Sequence, residues 1–167
     1  APMGMLELAR RQNELGDQAS IVVLDQKIRE LDATLASTPI EFLGESYVLS
    51  KRTQIERCVK ALSDCIRRRE PDILHCHLWG ATLVGAMARL GGIQVPIISH
   101  VRDTPAWLTS WTIRNLWKRR YFRKVTKAAS VRFIAVSSDA NAYVRRGLGV
   151  SDQQICTVLN AIDTRRF

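Results

Sequence analysis

The 167-residue chain has three histidines, and all of them follow apolar segments that have the character of β-strands. His75 and His77 flank Cys76 in PDILHCHLWG, and His100 lies near the end of PIISHV. Because side chains alternate across a strand, His75 and His77 share one face and Cys76 takes the other. Imidazole nitrogens bind zinc, exchange protons or form hydrogen bonds, so the segment is a candidate metal site, active-site rim or piece of core.

We do not expect a metal from this pattern. Zinc takes three or four ligands in a tetrahedral array, and the three histidines supply three only if the faces of their two strands match. A histidine–x–histidine pair alone is a weak motif. His75 is deeper in its strand and is interpreted as a hydrogen-bonded core residue. His77 and His100 lie nearer the strand ends, where contact with a ligand is as reasonable as a structural hydrogen bond.

Helical and extended patterns alternate along the chain and position these residues. Helices are predicted over 3–16, 26–36, 51–70, 79–90, 106–128 and 139–146, and strands over 20–24, 39–44, 72–77, 96–101, 132–137 and 154–160. Several of the strand segments are continuous apolar runs joined by helices, which is typical of a parallel sheet covered on both faces. The predicted fold class is α/β, with a Rossmann-like, doubly wound parallel sheet. The four cysteines lack CxxC pairing, which favours free thiols.

Polar residues cluster where the predicted strands end. Open parallel sheets bind ligands beyond the carboxyl ends of their strands, and the candidates there are His77, His100, Arg102, Asp103, Ser137 and Asn160. A local ion pair is the alternative for Arg102 and Asp103. Ser138 and Asp139 are better explained as the N-terminal cap of the next helix than as catalytic groups.

The positive charge of the chain is concentrated in one segment. The net charge of +9 indicates an anionic partner, and residues 111–127 contain seven basic and no acidic side chains. A helix there could lie on an anionic membrane, or it could pack its aromatic side on the sheet. The membrane candidates are Trp111, Arg114, Trp117, Lys118, Arg119, Arg120, Arg123 and Lys124. Nucleic acid is not expected, because no recognition motif accompanies the charge.

Five segments resemble, in order, the N-terminal half of family 4-like retaining glycosyltransferases of the GT-B fold. They are LELARRQNELGDQASIVVL, PDILHCH, VPIISHVRD, FIAVSSDANAYVRRGLGV and NAIDTRRF. The sequence departs from the family pattern two residues beyond His100, where the family usually has a histidine and this chain has Arg102. Ala161 replaces a glycine of the hinge motif.

The resemblance implies that residues 1–160 form the acceptor-side Rossmann-like domain and that 161–167 begin the interdomain hinge. The nucleotide-sugar is then a substrate held mainly by the other domain, and no cofactor is implied. The acceptor is a glycan or a lipid-linked saccharide, and Arg102 stands at the position of the catalytic histidine. The implied location is cytoplasmic, at the inner face of the membrane. A non-catalytic binding module or gene fragment that acts with another chain is the alternative.

Alignment to the family also places its first strand and Gly-Gly loop immediately before residue 1. We therefore expect a vacant position between the strands at 20–24 and 72–77, which the chain fills by dimerisation or strand exchange. We expect the isolated chain to be inactive.

Overall fold

The computed structural model describes residues 2–24, 38–43 and 52–160. The predicted helix over 26–36 and the hinge at 161–167 lie outside these residues. The chain divides into two compact units, Ala1–Asp64 and Cys65–Phe167. The predicted boundary between domain and hinge stays a prediction.

The first unit contains a helix and two short parallel strands. Helix α1 spans Pro2–Glu14, and strands β1 (Ile21–Val23) and β2 (Ile40–Phe42) pair in parallel. Leu6 and Ala9, three residues apart on α1, are buried in one cluster with Ile21 of β1. Helix α2, Arg52–Arg69, begins in this unit and ends in the next. Cys58, Leu62, Cys65 and Ile66 of α2 are buried at helical spacing, and Ile55 and Val59 are half-buried.

The second unit contains a four-stranded parallel sheet whose strands lie side by side in chain order. Its strands are β3 (Leu74–His77), β4 (Ile97–Val101), β5 (Arg132–Ala135) and β6 (Ile155–Thr157). Helix α3 (Trp79–Leu90) follows β3, and helix α6 (Ser138–Leu148) follows β5. The parallel pairing with helical connections confirms the predicted α/β class.

The two faces of the four-stranded sheet differ in burial. Cys76, Phe133 and Ile155 point to one face and belong to the main hydrophobic core, and α3 and α6 pack against these strands. The approach of α3 is close, because a Cβ at Gly85 would lie 2.9 Å from the Cys76 sulfur. Side chains on the opposite face, including His75, are half-buried or exposed. The histidines of β3 and β4 therefore point away from this core.

The prediction of one continuous helix over 106–128 is wrong. Helix α4 covers Ala106–Thr109 and helix α5 covers Ile113–Ala128, with an extended link between them. Thr112 has extended backbone angles and caps α5, because its side chain accepts a hydrogen bond from the backbone N–H of Asn115 at 3.3 Å. The guanidinium of Arg119 donates to the carbonyl oxygens of Leu108, at 3.1 Å, and Ser110, at 3.4 Å. These bonds satisfy carbonyl groups that the interrupted helix leaves open.

Within the described residues, β1 and β2 form one sheet and β3–β6 form another. Strand β3 lies at one end of its sheet, and its second edge has no ladder partner among these residues. Dimerisation or strand exchange at this edge stays a prediction. Among the described residues, no helix combines the length and the apolar character that a membrane span requires.

Candidate functional site

Three histidine rings meet on the half-buried face of the four-stranded sheet. The register of the parallel ladder places His77 directly beside His100, and His75 lies two residues earlier on the same face of β3. The ring centroids of His75 and His77 are 4.4 Å apart, and His100 lies 5.3 Å from His75 and 5.1 Å from His77. The sequence placed these histidines on two neighbouring strands but left open whether their faces match. The structure shows that they do.

Most of the nitrogens in this histidine cluster lack hydrogen-bond partners. The buried atoms His75 Nε2, His77 Nδ1 and both ring nitrogens of His100 have none within the described part of the chain. An unmet buried polar group costs about 1–3 kcal/mol. The interpretation of His75 as a hydrogen-bonded core residue therefore fails at its Nε2 atom.

The environment of the cluster keeps the imidazoles neutral. Burial, reinforced by the neighbouring His75, His100 and Arg102, lowers the pKa of His77 to about 3. Burial and the positive charge of Arg102 lower the pKa of His100 to about 4 and also lower that of His75. Near neutral pH each ring therefore offers a nitrogen lone pair.

The turn that follows β3 has a strained backbone. Leu78 has φ 75° and ψ 157°, in a region that residues other than glycine rarely adopt. The next residue, Trp79, donates its indole N–H to Asp103 Oδ1 at 2.9 Å. Its ring packs edge-on against Trp107 and Phe122, with centroids 5.4 Å away in each case. The Trp79–Asp103 hydrogen bond thus links the start of α3 to the segment that follows β4.

Trp79 and Leu78 were not predicted as site residues. A tryptophan two residues after the histidine–x–histidine strand end was the available signal for Trp79, because an indole can donate a hydrogen bond as well as pack. Nothing in the sequence indicates the positive φ of Leu78, since glycine is the usual residue there.

Other predicted site residues take different positions. Arg102 is half-buried just after β4, and its charge acts on all three imidazoles. Ser137 is the N-terminal cap of α6, with its hydroxyl accepting from the Ala140 N–H at 3.1 Å, so the cap lies one residue before the predicted one. Strand β6 ends at Thr157, and Asn160 is exposed three residues beyond it. Substrate binding by these residues stays a prediction.

A second surface lies on α5 and the link before it. Its large apolar side chains point to solvent: Trp111 is 80% exposed, Ile113 76% and Trp117 70%. Phe122 and Val125 of the same helix are buried in the core, so only part of the apolar side of α5 packs on the protein. We call the exposed part, together with the half-buried Arg119, the aromatic–basic surface. It comprises Trp111, Ile113, Arg114, Leu116, Trp117, Lys118, Arg119, Arg120, Tyr121, Arg123 and Lys124.

The parallel sheet, the strand-end cluster and the order of elements define a Rossmann-like α/β protein. The chain belongs to Glycosyltransferase Family 4, whose sequence profile matches residues 3–166. The resemblance inferred from the five sequence segments is thereby confirmed. A comparison with curated protein sequences finds no match for this chain.

Solved structures share the fold. A glycosyltransferase from Rickettsia africae ESF-5 superposes with a TM-score of 0.70 at 15% identity, over 96% of this chain and 39% of that one. A UDP-N-acetylglucosamine 2-epimerase from Rickettsia bellii gives 0.63 at 12% identity, over 92% of this chain and 41% of its own. MurG from Acinetobacter baumannii gives 0.59 at 14% identity, over 97% and 43%. The chain thus spans about two fifths of the length of these proteins.

Proposed function

We propose that this chain is the acceptor-binding half of a glycosyltransferase. The observation that supports this proposal is the match of Glycosyltransferase Family 4 over residues 3–166. The reaction transfers a sugar from a nucleotide-sugar, which is a substrate and not a cofactor, to a glycan or a lipid-linked saccharide. In enzymes that the chain resembles, the donor is held mainly by the second domain. Turnover is therefore expected of a protein that carries both halves, and not of the 167-residue chain alone.

The acceptor contacts come from the rim at the carboxyl ends of β3 and β4. His77 and His100 are neighbours there, and Arg102 and Asp103 follow directly. Arg102 offers charge-assisted hydrogen bonds to a phosphate or a sugar hydroxyl. Neutral imidazoles both donate and accept hydrogen bonds, which suits a polyhydroxylated acceptor. The strained backbone of Leu78 supports a functional assignment, because such outliers concentrate at active sites.

Kinetics of the two-domain protein test the rim assignment. Arg102→Ala and His77→Ala should each lower kcat/KM for the acceptor at least tenfold, or by about 1.4 kcal/mol of transition-state binding. The matched control is Arg132→Ala, because Arg132 is exposed at the opposite end of β5. Unchanged kinetics in both rim variants, with folding intact, would exclude these residues from the site.

The aromatic–basic surface is proposed to hold the protein on an anionic membrane. Helix α5 contains seven basic and no acidic residues, so its field attracts anionic headgroups. Exposed indole and aliphatic side chains, such as those of Trp117 and Ile113, insert into the membrane at the level of the lipid headgroups. A groove on this surface, lined by Trp111, Trp117, Arg119 and Arg120, combines both chemistries. Such docking would bring the rim near a lipid-linked acceptor.

Vesicle sedimentation tests the membrane proposal. Binding to anionic vesicles should be strong at low salt, weaken at high salt and nearly vanish with neutral lipid. Arg120→Gln with Lys124→Gln should weaken partitioning by about 2 kcal/mol, or roughly thirtyfold. Arg67→Gln with Arg68→Gln removes the same charge from the exposed end of α2 and should change binding less.

Apolar variants separate insertion from charge attraction. Trp111→Ser with Trp117→Ser should weaken binding even at high salt, because insertion of apolar groups is not screened. Leu15→Ser is the matched control, since Leu15 is an exposed apolar residue of the other unit. Binding that is absent, or that neither pair of variants alters, would contradict the membrane proposal.

A further inference from the structure

The histidine cluster brings three ring nitrogen atoms close to one another. His75, His77 and His100 each offer one nitrogen, and these three atoms all lie within 4.8 Å of one another. In a tetrahedral zinc site with Zn–N bonds of about 2.0–2.1 Å, ligand nitrogens are about 3.3 Å apart. The nitrogens must therefore approach by at most roughly 1.5 Å, which rotation of the imidazole side chains can supply.

Unmet hydrogen-bonding capacity is the second observation. At least one buried nitrogen of each ring has no partner among the described residues. Buried polar groups without partners are few in native proteins and require an explanation. A cation coordinated by one nitrogen of each ring would engage an unmatched atom of every histidine in the cluster at once.

The scaffold holds the ligands on neighbouring strands. His77 and His100 are directly paired in the β3–β4 ladder, and His75 is separated from His77 by one alternation of the same strand. Sites on strands are more precise than sites on loops, because the backbone ladder fixes the origin of each side chain. Only small side-chain rotations are then left to complete the geometry.

We propose that His75, His77 and His100 form a binding site for a divalent cation of the zinc class, with at least one coordination position left for water or another oxygen ligand. Imidazole nitrogen suits zinc, copper and nickel, whereas magnesium and calcium require oxygen ligands. Within the described residues, no fourth histidine, cysteine or carboxylate joins the cluster. The sequence alone predicted no metal, because it did not establish that the faces of the two strands match.

Arg102 constrains what completes the coordination. Its positive charge acts on all three imidazoles, and it opposes a bare cation at this position. An anionic fourth ligand, such as hydroxide, carboxylate or a phosphate oxygen, would offset this repulsion by interacting with the metal and with Arg102. The site thus favours a cation and an anion bound together, and inorganic phosphate should strengthen zinc binding.

Metal titration of the chelator-treated chain tests the proposal. Calorimetry with Zn²⁺ should give one equivalent per chain, and Co²⁺ should give the intense visible absorption of a four-coordinate ion. His77→Gln and His100→Gln should each weaken zinc binding at least tenfold, because even loss of an outer-shell partner costs about 10–100-fold. Cys156→Ser is the control, since this thiol is exposed and lies outside the cluster. It should leave affinity unchanged.

NMR of the wild-type chain gives a readout that does not depend on whether the variants fold. All three histidines of the chain are in the cluster, so every histidine ring signal reports on this site. One equivalent of Zn²⁺ should shift all three sets of ring signals. Unshifted ring signals at saturating Zn²⁺, an octahedral Co²⁺ spectrum or undiminished affinity in both histidine variants would overturn the proposal. Loss of zinc binding in Cys156→Ser, with binding kept in the histidine variants, would also overturn the proposal. None of these readouts requires glycosyltransferase activity, so they are independent of the proposed function.

Discussion

Leu108 of α4 lies so close to Gly147 of α6 that position 147 has no room for a side chain. A Cβ on Gly147 would lie 2.4 Å from Leu108 Cδ1 and 2.8 Å from its Cγ. Leu108 is only 2% exposed, so it has little space into which to retreat. This contact fixes α4 against α6 and so positions the link that starts the aromatic–basic surface.

The expected effect of Gly147→Ala depends on residue 108. In the wild-type background, the added methyl group causes overpacking that costs about 1–3 kcal/mol, offset by a helix-propensity gain of up to about 1 kcal/mol. Leu108→Ala alone should cost about 2–5 kcal/mol, but it removes both atoms that the new methyl group meets. In that background only the propensity gain remains. Gly147→Ala should therefore change from neutral or destabilising to stabilising.

Urea unfolding of the wild type, both single variants and the double variant measures this coupling. The effect of Gly147→Ala should differ between the two backgrounds by about 1–3 kcal/mol, the overpacking cost. Ala142→Gly is the matched control, because it reports helix propensity in α6 and should cost about 1 kcal/mol in both backgrounds. A difference below about 0.5 kcal/mol, the ordinary error of additivity, would refute the proposed contact.

Three further predictions concern a thiol, a strained turn and a helix cap. Burial raises the pKa of Cys76 from 9.0 to about 12, so the folded state retains this proton and the associated stability is lost as pH rises from 9.0. Between about pH 8 and pH 10, the free energy of unfolding should fall by about 1.4 kcal/mol more in the wild type than in Cys76→Ala, as measured by denaturant unfolding. Equal falls in the two proteins would contradict the shift. Leu78→Gly should raise the free energy of unfolding by about 1 kcal/mol by relieving strain at a half-exposed residue, and a lower Tm would count against that strain. Thr112→Ala should cost about 0.5–2 kcal/mol through loss of the α5 cap, whereas Thr112→Ser should restore it; equal stability of all three proteins would exclude the cap.

The sequence by itself determined the order and type of most elements. The apolar runs that become β3, β4 and β5 are short and contain β-branched or aromatic residues, and the intervening segments have helical periodicity. Pro71 and the glycines at 91–92 limit the neighbouring helices by local backbone chemistry. Five ordered segments also sufficed to indicate the family, because such motifs are linear. Features of this kind depend on neighbouring residues, so they can be inferred without knowledge of the folded chain.

The tertiary structure alone decided how the site is assembled. Alternation placed His75 and His77 on one face, but only the β3–β4 register brought His100 beside them. Likewise, local propensity favoured one helix over 106–128, whereas the folded chain has the short helix α4 and then α5. Leu108 of α4 packs on Gly147, about forty residues later in the sequence. Strand register and helix packing depend on contacts between residues far apart in the chain. A sequence pattern therefore identifies the residues that can act, and the fold determines which of them meet.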